Sequence, residues 1–193
     1  SSDDSSDDNE NKLLNSNGRI VPTIFYGTQE WSVENADYTS YSDGTPIPQV
    51  TDDNKWISIT TGAWCYYDND PNKGKLYNWY AVVGIHDDDP NTPNKEFAPE
   101  GWHVPSKLDW VILQEYLIAN GYNYDSSSFS CSPCPPNYNK IAQSLASTAG
   151  WIGSGRIGTP GYDQNSNNRS GFNALAEGWR IPNGLFTNED QET

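Results

Sequence analysis

Lys75-Leu76-Tyr77-Asn78-Trp79-Tyr80-Ala81-Val82 and, after an acidic insert, Glu100-Gly101-Trp102-His103-Val104-Pro105-Ser106-Lys107-Leu108-Asp109-Trp110 decide the fold. No other part of the chain combines such dense aromatic residues with such clear punctuation. Ser106 follows Pro105 and stands three residues before Asp109, the spacing at which a side-chain acceptor caps a helix and a carboxylate favours its positive end. The pattern predicts a helix that starts here. Trp110, Leu113 and Leu117, with Val111 and Ile118 beside them, form one broad apolar face at helical spacing, and Asn120-Gly121 supplies a left-handed stop. Trp79, Trp102, Trp110, Leu113 and Leu117 are the expected core.

Upstream, Ile20 to Tyr26 and Gln29 to Val33 have the composition of short strands broken at Gly27, with Pro22 placing the first at a sheet edge. Glu34 to Asn54 is turn territory, marked by Ser42-Asp43-Gly44-Thr45-Pro46 and Asp52-Asp53-Asn54. Trp56-Ile57-Ser58-Ile59-Thr60 alternates like a strand, and Ala63 to Tyr67 has strand composition. Leu76 to Val83 is expected to be a short buried element, and His86 to Lys95 an exposed loop. A second helix is predicted from about Asn139 to Ser147, followed by a Gly/Asn-rich surface loop from Gly150 to Asn168. Phe172 to Phe186 holds the last expected core residues.

The 193 residues fit one domain. A mean hydropathy of -0.80, with 34% hydrophobic and 13% aromatic residues, points to an irregular, loop-rich α+β domain whose core is built from rings. Residues 1–18 are expected to be a disordered acidic tether, since Ser1 to Lys12 has nothing apolar to bury, and residues 19–193 the folded domain. The formal charge of -15, from 26 acidic against 11 basic side chains without a basic cluster, argues against nucleic acid or an anionic membrane surface as a partner. No apolar run approaches the roughly 20 residues that cross a bilayer, and with no methionine the chain reads as a processed one.

Several groups carry possible chemistry. Cys131-Ser132-Pro133-Cys134 has the spacing of a redox or zinc half-site, with Cys65, His86 and His103 the only further ligands. A local disulfide, or a bridge from Cys65 to one of the pair, is the alternative in an extracellular compartment. His103 lacks the nucleophile or carboxylate motif of a general base. Asp68, Asp70, Asp87, Asp88 and Asp89 lie in turns and offer oxygens to calcium, but without the order of a calcium loop. Gly153 to Gly158 has a dinucleotide-like glycine spacing without its βαβ setting. Tyr122, Tyr124, Tyr138, Trp151 and Tyr162, in the irregular loops, are the candidates for an exposed contact surface.

Leu76 to Ala81, Pro99 to Pro105 and Asp109-Trp110 together resemble the Fibrobacter succinogenes major paralogous domain family. Further agreement comes from Gly27 to Trp31 with Glu34-Asn35, Tyr41 to Pro48, Ala63 to Asp70, Leu145 to Trp151 and Gly171 to Leu175, so the likeness spans most of Gly27 to Phe186. The resemblance implies secreted or surface-anchored bacterial proteins, many of them lipoproteins, with a C-type-lectin-like fold and no established catalytic residues. The N-terminal acidic serine-rich run is similar to the leader that follows the lipidated cysteine in surface lipoproteins of Bacteroidota, which implies attachment to the outer membrane through a lipid. Family members continue beyond the equivalent of Leu185-Phe186 into further strands with a Trp-Trp-Ser segment and a closing cysteine, which these residues lack. The expectation is an open sheet edge, at Trp56 to Thr60 or a neighbouring strand, completed by a continuation of the chain, a second copy or a partner.

Three functions follow as expectations. The first is a non-catalytic surface lipoprotein that binds another surface or outer-membrane protein as an accessory subunit. The second is a glycan-binding module. The third is an enzyme of the formylglycine-generating type, with Cys131 and Cys134 as its only available cysteine pair. No cofactor is expected, calcium being the open alternative.

Overall fold

Ser106 and Asp109 close a reciprocal cap in the computed structural model, which describes residues 12–128 and 140–187. The Asp109 backbone N–H donates to Ser106 Oγ at 3.3 Å, and the Ser106 N–H donates to Asp109 Oδ2 at 2.7 Å. These bonds satisfy two of the donors that a helix start leaves open. The helix that follows, Lys107–Ala119, ends where Gly121 takes φ 79°, a conformation that a Cβ disfavours. There the Tyr122 N–H reaches the Leu117 carbonyl at 3.0 Å and the Gly121 N–H reaches Ile118 at 3.2 Å, the paired bonds of a Schellman stop.

In chain order the elements are β1 (Thr23–Tyr26), β2 (Gln29–Ser32), α1 (Asp53–Ser58), β3 (Trp64–Tyr66), β4 (Lys75–Tyr77), α2 (Trp79–Val82), α3 (Lys107–Ala119), α4 (Ala142–Leu145), β5 (Trp179–Arg180) and β6 (Phe186–Thr187). The strands form three separate antiparallel pairs, β1 with β2, β3 with β4 and β5 with β6. The architecture is α+β and irregular, with loops carrying most of the chain. β1 and β2 are joined through Gly27 (φ 65°) and Thr28, a two-residue turn that pairs Tyr26 with Gln29 and Ile24 with Trp31.

Two expected elements differ. Trp56 to Thr60 is not a strand: Asp52 accepts from the Lys55 N–H at 2.8 Å and starts the six-residue helix α1, in which only Trp56 is buried. The apolar residues Trp56, Ile57 and Ile59 mimicked a sheet because a six-residue helix is too short to show its period. The second helix is shorter than expected. α4 spans Ala142–Leu145, because the Ser147 N–H and the Leu145 carbonyl are taken by Ala174, which draws the chain into a parallel bridge. Asn139, its expected start, lies outside the described residues.

The core divides into three ring-rich clusters. Tyr26, Trp31, Leu113, Leu117 and Ile141 pack the first hairpin onto α3 and α4. Tyr41, Ile47, Trp64, Ala81 and Phe97 form the second, with Tyr77 meeting Phe97 edge-on at 4.8 Å. Val50, Trp56, Ala63 and Cys65 form the third. Asn78 links the second to the loop before β3: its side-chain oxygen accepts from the Ala63 and Ala81 N–H groups, and its amide donates to the Thr61 carbonyl.

The expected core is only partly the observed one. Leu113 and Leu117 are fully buried, whereas Trp79 is 65% exposed and Trp110 40% exposed, with Trp102 half-buried. α2 is a single turn whose buried residue is Ala81, so its first ring points outward. Trp31, Trp56 and Trp64 take the buried places instead.

Arg180 fastens the last hairpin. Its buried guanidinium lies 4.5 Å from the Trp56 ring and 4.8 Å from the Phe186 ring, and donates to Val50, Gly184 and Thr51 carbonyls and to Asp53. β5 and β6 are two residues each and cannot hold a hairpin alone. Arg180→Ala should therefore lower stability by about 3–5 kcal/mol. Urea denaturation checks this, and an unchanged midpoint would show that the last hairpin is held by other contacts.

A candidate binding groove beside the first hairpin

Trp31 roots an aromatic trio from which a surface groove opens. Its ring lies 4.8 Å from Trp110 and 5.9 Å from Phe172, and Trp110 and Phe172 are 6.0 Å apart, all tilted. Such offset rings attract through their quadrupoles and form a rigid base. Gln29 locks β2 to the start of α3: its amide donates to the Asp109 carbonyl at 3.1 Å, and its oxygen accepts from the Trp31 indole at 3.3 Å.

The groove encloses about 680 Å³. One wall is the unbroken run Thr28 to Tyr38; another runs from Phe97 through Trp102 to Pro105; the far end is Phe172 to Leu175. Asn35 in the first wall donates to Glu177 at 2.9 Å. Packing against Gly74 partly desolvates the Glu177 carboxyl and raises it above its ordinary range although the residue remains exposed, with the Asn35 bond and Lys73 opposing the shift. Tyr77 donates to the Tyr38 carbonyl at 2.8 Å, so the second cluster supports the same wall.

His103 is exposed on the second wall, with Nε2 3.2 Å from Asp109 Oδ2. Asp109 is held below the usual carboxylate range, chiefly by the Ser106 hydroxyl and N–H and then by His103. The same carboxylate oxygen takes the Ser106 bonds of the helix cap, so the pairing orients His103 and braces the cap together.

The other candidate residues are dispersed. Tyr122 packs half-buried against the first cluster, and the Trp151 indole donates to the Ser147 carbonyl at 3.0 Å, so both serve the interior. Tyr124 and Tyr162 are exposed and meet at a smaller pocket of about 300 Å³ with Arg169 and Gln143. Tyr138, Cys131 and Cys134 lie outside the described residues. Cys65 is a free, buried thiol in β3, its pKa pushed up by burial against the opposing effect of Arg180. Asp68 and Asp70 hold one turn and Asp87, Asp88 and Asp89 another. Asp70 and Asp89 accept from the backbone of Asn72 and Asn91, and Asp88 from the Thr60 hydroxyl. Among the described residues, no three His, Cys, Asp or Glu side chains converge as metal ligands.

The profile of the Fibrobacter succinogenes major domain matches residues 24–193. The chain belongs to that family. No curated protein and no solved structure matches it. Within this Fibrobacter succinogenes major domain the matched region begins inside β1 and takes in all three walls of the groove, leaving out only Leu13 and Val21 at its margin. No helix among the described residues is long and apolar enough to cross a membrane.

Sequence reasoning missed the groove because it is built from three segments far apart in the chain. The one local signal was the Gly27 to Trp31 run beside Glu34-Asn35, which marked the wall without its partners.

Two outcomes follow. Trp110→Ala should cost about 1–2 kcal/mol, since the ring is half-covered and paired, while Trp79→Ala should cost under about 1 kcal/mol. Equal and large losses of melting temperature in both would mean that α2 is buried. Glu177→Gln should stabilise the domain at neutral pH, because the folded carboxyl pKa lies above its unfolded value of about 4.3 and the charged form is the disfavoured one. The gain should vanish as pH falls below that unfolded value, where both states are protonated. Thermal melts from pH 7 to pH 3 read this directly, and a gain that grows toward acid would contradict it.

Proposed function

We infer that this domain is a non-catalytic, cell-surface lipoprotein module that binds another surface or outer-membrane protein as an accessory subunit. The observation that carries the reading is the groove: about 680 Å³, walled along one side by eleven consecutive residues, Thr28 to Tyr38, and edged by the part-exposed rings of Trp102 and Trp110. Half-exposed tryptophans fixed over a rigid base are the residues on which protein interfaces concentrate their binding energy. The acidic N-terminal run supports a tether that would hold the groove away from the membrane.

Co-purification from solubilised membranes tests the reading. The wild-type protein should bring a defined surface protein with it, and Trp102→Ala with Trp110→Ala should lose that protein while remaining folded. Recovery of the same proteins by the double variant would overturn it.

A second reading is favoured by one feature. Trp102 lies beside His103 and Asp109 in the groove, and an aromatic face next to polar groups is the chemistry that stacks on sugars. A glycan array probed with and without calcium separates this lectin-like alternative from the first.

A further inference from the structure

The register of the first hairpin fixes which backbone groups are free. Tyr26 faces Gln29 across a two-residue turn, Ile24 faces Trp31, and the Val33 N–H donates to the Pro22 carbonyl at 3.1 Å. Hydrogen-bonded pairs therefore fall at Gln29, Trp31 and Val33, and the intervening Glu30 and Ser32 are in non-hydrogen-bonded pairs. Their N–H and C=O groups point away from β1, and among the described residues no group hydrogen-bonds them.

The groove lies along that side. β2 contributes each of its residues, Gln29 to Ser32, to that wall, and since a strand shows alternate residues to each face, the groove meets its edge and not a face. None of the β1 residues Thr23 to Tyr26 lines it. β3, by contrast, already has its outer edge occupied: the Trp64 N–H and C=O bond to Pro48 and Val50.

The charges select the occupant. Glu30, Glu34, Asp37 and Asp109 line the groove, and among the described residues no lysine or arginine does. Arg19 engages Glu34 from outside it, leaving Glu30 exposed. A second copy of this chain, at formal charge -15, is repelled by such a surface.

Resting on the reading of the groove as a protein-binding surface, we propose that β2 is completed by an extended segment of a partner protein whose side chains alternate basic and apolar. The partner backbone bonds to the N–H and C=O of Glu30 and Ser32. Its apolar side chains face the Trp31, Trp102 and Trp110 side, and its basic ones face Glu30. Backbone pairing supplies the affinity, and the carboxylates supply the selection against acidic segments.

The test uses the full chain, isotope-labelled, titrated with a capped heptapeptide of sequence Lys-Val-Lys-Phe-Lys-Val-Lys and followed by amide chemical shifts. The expected result is movement of the Glu30 and Ser32 signals, weakened at raised ionic strength. A peptide with glutamates in place of the lysines, or the variant Glu30→Lys, should bind at least about tenfold more weakly. Methylating alternate peptide nitrogens, on one edge and then on the other, should abolish binding for one of the two edges only. No shift at millimolar peptide overturns the proposal. So do shifts confined to the tryptophan rings, or Glu30 and Ser32 signals that move with protein concentration alone, the mark of a second copy. The underlying protein-binding reading fails separately, when the tryptophan variants keep their membrane co-purification.

Discussion

Tyr26 and Trp31 resting on Leu113 and Leu117 is the contact on which the rest of the domain depends. Both leucines are fully buried, each contributing about 1.5–3 kcal/mol of apolar burial, and together they seat a hairpin of two four-residue strands on a thirteen-residue helix. A two-stranded hairpin is marginal in water by itself, so this contact is what allows β1 and β2 to persist. It also fixes the orientation of the hairpin. With Tyr26 donating to the Ser170 carbonyl and Gln29 to the Asp109 carbonyl, β1 is turned toward the body and β2 toward the groove.

The remaining clusters show how a chain of mean hydropathy -0.80 builds an interior. Among the described residues no sheet exceeds two strands, and side chains bond loops to one another where a larger sheet would have used its ladder. Asn78 spans two loops, Arg180 spans Val50 to Gly184, and Asn167 donates to both the Ser147 and Pro160 carbonyls. Rings then fill the space between, meeting edge-on or tilted, as Trp64 meets Tyr66 and Tyr67 meets Phe186. Buried polar bonds of this kind are costly to break singly, which makes an irregular fold specific.

What was legible in the sequence was local. Ser106, Asp109 and Asn120-Gly121 announced both ends of α3, since caps and stops act within a few residues. Gly27 marked the hairpin turn for the same reason. Family membership was legible too, because the Leu76 to Ala81 and Pro99 to Pro105 runs are distinctive. Burial of individual rings was not: Trp79 sits in a dense aromatic run and Trp31 among mostly polar residues, yet tertiary packing puts the first in water and the second beneath α3. Arg180 gave no signal at all, since a single arginine near the chain end looks like a solvated charge until Trp56 and Asp53 are placed beside it. α1, at six residues, was hidden by its shortness.

β2 is paired with β1 on one side and, among the described residues, open on the other, and the open side lines the groove. Native-state hydrogen exchange of the isolated protein measures this residue by residue. Protected amides are expected at Ile24 and Trp31, which pair within the hairpin, and rapid exchange at Glu30 and Ser32. Equal protection at all four positions would contradict it, because the outer edge of β2 would then already be occupied by the protein itself.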